Sequence, residues 1–353
     1  MDRHKYAVEY LLNNASETIK YRVLTELCAI QSPTEVERLR NAIIDSERYN
    51  KLLCCLKNRK EYHGATLYAV ENALNMLIDM GVYYQKGFEQ FDEVLKEISD
   101  EASRRSINNY HVLGQLSHIV IVPFLLRAGM RDSWMMSFFF ERIELIHNFV
   151  KKKQYDIYQE ELSYKNIPGS FINRPIIREE LYVDGRISFP LEYDIYACAA
   201  LYHEVETDVR KQIDEIIEYI MDKRFLLIED GYGILHKNNN YWAMGWDPKP
   251  TDLSKYHKYN PLLLKASLLT TFPQVITSKW FAGVMEILQQ YVDENGIYHF
   301  PKEFLTEKDS CWILGCHMGL GESRRKKNAL ELEGTFRAIM LINRIMKNGG
   351  YSK

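Results

Sequence analysis

The residue types able to do chemistry gather in the second half of the chain. Tyr241-Trp242-Ala243-Met244-Gly245-Trp246-Asp247-Pro248 sets two Trp, a Tyr and an Asp on one stretch behind Asn238-Asn239-Asn240. Aromatic walls with a few placed polar groups are what small-molecule pockets use. The same rings would serve equally to plug a core and staple a long loop. Asp252, His257 and Tyr259 follow closely. Carboxylates and imidazoles are the groups that move protons, so Asp247 and His257 are candidate acid–base residues. Tyr241, Trp242, Trp246 and Tyr259 are candidate ligand walls.

A second group is Cys316-His317-Met318-Gly319-Leu320-Gly321-Glu322-Ser323, leading into Arg324-Arg325-Lys326-Lys327. A glycine-bearing loop with cations near a helix start could hold an anion, or could simply end in a solvated basic run. Cys316 and His317 are neighbours on a helix and point apart, so they do not form a dyad; His317 is kept as a lone polar candidate. Glu333 and Arg337 stand at i, i+4 on the last helix, near Glu331. They read as an ion pair, or as a polar cluster in an apolar cavity if that face turns inward. Tyr193-Asp194 at a helix start carries the same ambiguity, with Tyr193 a candidate wall and Asp194 a cap or dipole partner. The chain has no Gly-x-Ser-x-Gly, phosphate-loop or His-Glu-x-x-His motif.

Composition bounds what these residues can serve. The 353 residues are 46% hydrophobic, enough for a large core. The 24 Tyr suit a partly wet cavity whose walls need apolar bodies and polar tips. A net charge of −3 makes nucleic acid an unexpected partner. The six Cys form no Cys-x-x-Cys pair and read as reduced thiols. The opening MDRHKYAVEYLL has no apolar core with a small-residue cleavage site, so a cytoplasmic protein is expected. The most apolar stretch, 112–129, is interrupted by Gln115, Ser117, His118 and Arg127, so no membrane span is expected.

The elements that position these groups read as helices. Ser16 opens an apolar face through Ile19, Val23 and Leu27. Ser32-Pro33-Thr34-Glu35 is a strong helix start, and Ser46 is another. A helix is expected over 65–80, stopped by Gly81, and a long buried one over 107–128, kinked at Pro123 and closed by Gly129. Asp132 can cap the next. Helical repeats to about residue 153, an irregular connection over 154–192 and further repeats over 193–348 make one all-α domain. Residues 238–259 read as a long loop. Corners recur at Asp184-Gly185, Asp230-Gly231 and Asn295-Gly296, each followed by apolar or aromatic residues and then a helix. Recurring corners between helices indicate a repeat architecture.

These corners, with the phrases 16–27, 66–81 and 190–196, resemble the prenyltransferase and squalene-cyclase superfamily, in particular its bacterial members. The resemblance implies an α/α toroid, a closed barrel of inner and outer helices with a ligand in its central cavity. The Asp-x-Asp-Asp acid motif of the triterpene cyclases is absent. Asp309-Ser310-Cys311-Trp312 matches the Asp-x-Cys-aromatic zinc phrase of the protein prenyltransferases, which makes Asp309 and Cys311 candidate ligands and Trp312 a candidate wall. The third ligand is missing, because the helix expected over 330–345 holds no His and His317 lies on another face than Cys311. Zinc needs three or four convergent ligands, so no cofactor is expected. The resemblance therefore implies a protein that binds a small apolar or amphiphilic ligand, with Asp247, His257, Asp309 and His317 as polar candidates. A non-catalytic binding or scaffolding module of the same fold and a carbohydrate-active α/α barrel remain as alternatives.

Overall fold

The computed structural model describes residues 3–28, 32–64, 66–104, 116–159, 167–183, 186–237, 240–254, 262–304, 319–322 and 325–348. Among the described residues the protein is all-α apart from two short hairpins. The first helices are α1 (Arg3–Asn14), α2 (Glu17–Arg22), α3 (Pro33–Ile44), α4 (Glu47–Lys57), α5 (Val70–Asp79) and α6 (Glu89–Arg104). Then come α7 (Leu116–Ala128), α8 (Ser133–Val150), α9 (Glu192–Leu201) and α10 (Thr207–Met221). The last are α11 (Leu262–Leu269), α12 (Pro273–Ile276), α13 (Lys279–Gln289) and α14 (Ala329–Lys347). None of the described helices is long and apolar enough to cross a membrane.

The caps fall where local chemistry puts them. Ser16, Ser32 and Ser46 accept from the backbone N–H groups of Ile19, Glu35 and Tyr49, and Pro33 opens α3. Gly81 and Gly129 follow α5 and α7 at φ +85° and +102°, the left-handed corner that glycine takes without strain. Asp132 sits at the N-cap of α8 but its side chain makes no capping bond.

One helix differs from its sequence reading, and the start expected at residue 107 for another lies outside the described residues. α5 begins at Val70 because Glu61 and Tyr62 carbonyls take the N–H groups of Val70 and Glu71, while Asn72 ties down Gly64 and Thr66. Pro123 lies inside α7, which runs through it to Ala128. The segment around it is buried on all sides, as its unbroken apolar run predicts. The reading of 238–259 as loop also changes. β3 (Ile234–Lys237) and β4 (Asn240–Ala243) pair antiparallel, with Leu235 opposite Trp242 and His236 opposite Tyr241. Tyr and Trp favour this pleated, half-buried setting. β1 (Tyr182–Val183) and β2 (Arg186–Ile187) form the other hairpin. Asp184-Gly185, the first expected corner, lies outside the described residues.

The chain divides into two compact units. One comprises Met1–Asp100, Arg127–Met130 and Thr251–Lys353, the other Glu101–Leu126 and Arg131–Pro250. In the first unit Leu11, Ile19 and Val23 near the start of the chain share a core with Leu332, Phe336 and Ile339 of α14. In the second, α8 and α10 pack together through pairs such as Phe149 and Tyr219, ring centroids 5.7 Å apart.

Candidate functional site

Within the first unit, four segments deliver arginines and carboxylates to one interior cluster. α2 supplies Arg22, and the π-helical turn after it, Val23–Leu27, supplies Glu26. π-turns inside helices occur often at functional positions because they re-aim side chains. Asn75 and Asp79 come from α5, and Arg127 from the last turn of α7. Glu333, Arg337 and Arg344 descend one side of α14 at steps of four and seven residues, which keeps them roughly on one face.

Arg22, 7% exposed, donates from Nε and Nη2 to the two Glu26 oxygens at 2.5 and 2.9 Å, and from Nη1 to the Asp79 carbonyl at 2.8 Å. Its guanidinium lies over the Phe336 ring, 5.0 Å from the centroid. Burial alone would push its pKa down, but Glu26 overrides that and holds it up. Arg337 donates from Nη2 to Glu333 Oε1 at 2.9 Å and lies 3.7 Å from Asp79 Oδ2. Glu333 is fully buried and also accepts from the backbone N–H groups of Gly319 and Leu320. Arg127 lies 3.7 Å from Asp79 Oδ1 and donates to Asn75 Oδ1.

Arg344 differs from the other three. Its Nη1 donates to the Ser267 carbonyl and hydroxyl at 2.6 and 2.7 Å, and no described carboxylate pairs with it. Burial pushes its pKa down, and Arg22 and Arg127 push it the same way, against Glu26 and Tyr83. Tyr83 stands in the same field: burial and Glu26 raise its phenol pKa, while Arg22, Arg127 and Arg344 pull it down. Among the described residues the cluster thus sets guanidinium groups 22, 127, 337 and 344 against carboxylates 26, 79 and 333. One cation is in excess. Lys347, one turn beyond Arg344, donates to the Glu26 carbonyl at 3.4 Å and adds positive charge at the exposed end. Arg344 is half-buried and forms no ion pair among the described residues.

Of the residues singled out in the sequence, Glu333 and Arg337 join this cluster; they form the i, i+4 pair and also contribute to the larger polar group. The Trp-rich segment stands in the second unit and its polar groups are taken. Asp247 accepts from the N–H groups of Gly231 at 2.6 Å and Lys249 at 3.2 Å. Trp246 adopts φ +60°, gives its carbonyl to the Glu192 N–H at 2.8 Å and sets its ring edge-on to buried Tyr193 at 5.6 Å. Tyr241 lies against His236, centroids 4.7 Å apart, and Trp242 is half-buried on β4. Asp247 therefore pins the Asp230-Gly231 corner. His257, Tyr259, Asp309, Cys311, Trp312 and His317 lie outside the described residues. Among the described residues no group of three or more His, Cys, Asp or Glu could hold a metal ion.

Arg22, Glu26, Asp79, Tyr83, Arg127 and Arg344 were not singled out from the sequence. Two signals pointed to them: Arg127 breaks an otherwise apolar helix, and Asn75 and Asp79 stand at i, i+4 on an apolar one. Comparison of the chain with protein-family models, with curated proteins and with solved structures finds no match.

Proposed function

We propose that this protein binds an amphiphilic small molecule whose anionic head, a carboxylate or phosphate, is taken up by Arg344 with Arg22 and Arg127 beside it. The observation that carries this reading is the half-buried Arg344 guanidinium, which Arg22 and Arg127 repel and with which no described carboxylate forms an ion pair, Glu26 acting on it only from beyond ion-pair distance. A guanidinium repelled by two like neighbours gains when a further counter-charge arrives.

The same reading takes the architecture to be an α/α toroid of the prenyltransferase and cyclase type. Its support is the helical composition, the shared core of α1, α2 and α14 at the two ends of the chain, and the glycine corners at 231 and 296 with φ +71° and +84°.

The test is a calorimetric titration with dodecyl phosphate, dodecanoate and dodecanol below their aggregation concentrations. The reading expects the two anions to bind at least about tenfold more tightly than the alcohol, the size of one charge-assisted contact. Equal affinity for all three, or none, would overturn it.

A further inference from the structure

A cavity of about 510 Å³ lies elsewhere in the first unit, at the starts of α2 and α4. That volume is in the range of small-molecule sites. Its apolar floor includes Met76 and Met80 of α5, and its polar wall includes Thr18 of α2 with Glu47, Arg48 and Lys51 of α4.

Thr18 is 6% exposed, and its hydroxyl makes no hydrogen bond among the described residues. Thr270 of this unit donates to the Ala266 carbonyl at 2.8 Å and Thr335 accepts from the Tyr298 N–H at 2.9 Å, while the Thr251 hydroxyl is buried without a partner among the described residues. The residue is buried but its hydroxyl oxygen is not sealed off, so a ligand atom or a water in the cavity can take its hydrogen bond. Gly321 faces the same hydroxyl at φ +95°; a methyl group there would come within 3.3 Å of Thr18 Oγ1. The backbone is thus kept bare where the hydroxyl looks into the cavity.

The charges on the wall come in both signs. Glu47 and Lys51 stand at i, i+4 on α4, a spacing that allows an ion pair, yet none forms. Arg48 holds the Gly319 carbonyl from the same helix turn. The first turn of α4 adds the partial positive charge of its N–H groups. Glu17 and Glu322 also line it, Glu322 being held by the Ser16 N–H and Lys326, so a purely anionic ligand would meet carboxylates, Glu47 first, and a purely cationic one would meet Lys51, Arg48 and the helix start.

We propose that this cavity is a second ligand site, for a small zwitterion. Its carboxylate would face Lys51, Arg48 and the start of α4, its ammonium group would face Glu47, and its apolar body would lie on Met76 and Met80. Free amino acids and dipeptides with aliphatic side chains have this chemistry. The Thr18 hydroxyl supplies the one neutral hydrogen bond.

The experiment is calorimetric titration of the full chain with leucine, leucyl-leucine, N-acetyl-leucine, leucinamide and inorganic phosphate. Binding of leucine or the dipeptide, with each capped form at least about tenfold weaker, is the expected result. Lys51→Ala and Glu47→Gln change exposed residues and should each weaken the zwitterion about tenfold, while Arg344→Gln leaves it unchanged. Thr18→Val should weaken it severalfold. Failure of both zwitterions to bind at millimolar concentration, equal binding of the capped forms or of phosphate, or indifference to Lys51→Ala would overturn the proposal.

Discussion

The first unit gathers a cluster of arginines and the second buries a single arginine–aspartate pair, and the two are finished differently. In the second unit Arg142 and Asp194, side chains 5% exposed, form a bidentate pair at 2.9 and 2.8 Å. The remaining Arg142 donors go to the carbonyls of Ile187 and Phe189, and Asp194 also accepts from the Leu191 N–H. Every charge there is matched within the unit. In the first unit the Glu26, Asp79 and Glu333 carboxylates face four guanidinium groups among the described residues, and Arg344 forms no ion pair with any of them. A closed pair fixes a corner and a helix start in place. An open cluster stores a charge that only an incoming group can complete.

The largest effect that would break this contrast lies in the closed pair. Asp194→Ala leaves Arg142 buried without its partner and should cost about 3–5 kcal/mol in urea denaturation. A loss under 1 kcal/mol would show that the pair is not the lock described here. Asp247→Ala should cost about 1–3 kcal/mol, because the Gly231 N–H loses its acceptor, and should leave anion binding untouched. A drop in ligand affinity with unchanged stability would move the functional site to the Trp-rich segment instead.

Asp79→Asn sharpens the contrast from the open side. It removes a shared carboxylate from between Arg337 and Arg127 and raises the positive excess. Stability should fall by about 1–2 kcal/mol while affinity for dodecyl phosphate rises, as read by titration. The smallest effect is in pH. Burial pushes the Asp293 carboxyl pKa up, but the N–H groups of Ile297 and Asn295 and the His299 ring bring it below its usual value. That stabilisation is present above about pH 4 and is lost as the pH falls below it. Since the group is half open to water, the change is under about 1 kcal/mol, and Asp293→Asn should remove it from the acid limb of a denaturation series.

Much of the fold was legible because its signals are local. Ser16, Ser32 and Ser46 cap helices through bonds that span three residues, and Gly81, Gly129 and Gly296 end or turn segments through their own φ. The hairpin at 234–243 was hidden because its strands are four residues each and its pairing depends on partners across a turn. The site was legible only where it, too, is local. Glu333 and Arg337 stand one helical turn apart, but their link to Asp79, and through it to Arg127 and Arg22, joins segments far apart in the chain. The aromatic density at 241–248 misdirected attention for a physical reason. Trp246 and Tyr193 fill space and Asp247 closes a glycine corner, so the same residue types that line pockets here hold a loop.

The most direct measurement pairs two readouts on one variant, Arg344→Gln. Arg344 is half-buried, bonds only to Ser267 and is repelled by Arg22 and Arg127, so stability should stay within about 1 kcal/mol of the parent or rise. Affinity for dodecyl phosphate should fall at least about tenfold. Loss of several kcal/mol in stability with unchanged affinity would contradict the account and make Arg344 one more closed structural contact, like Arg142.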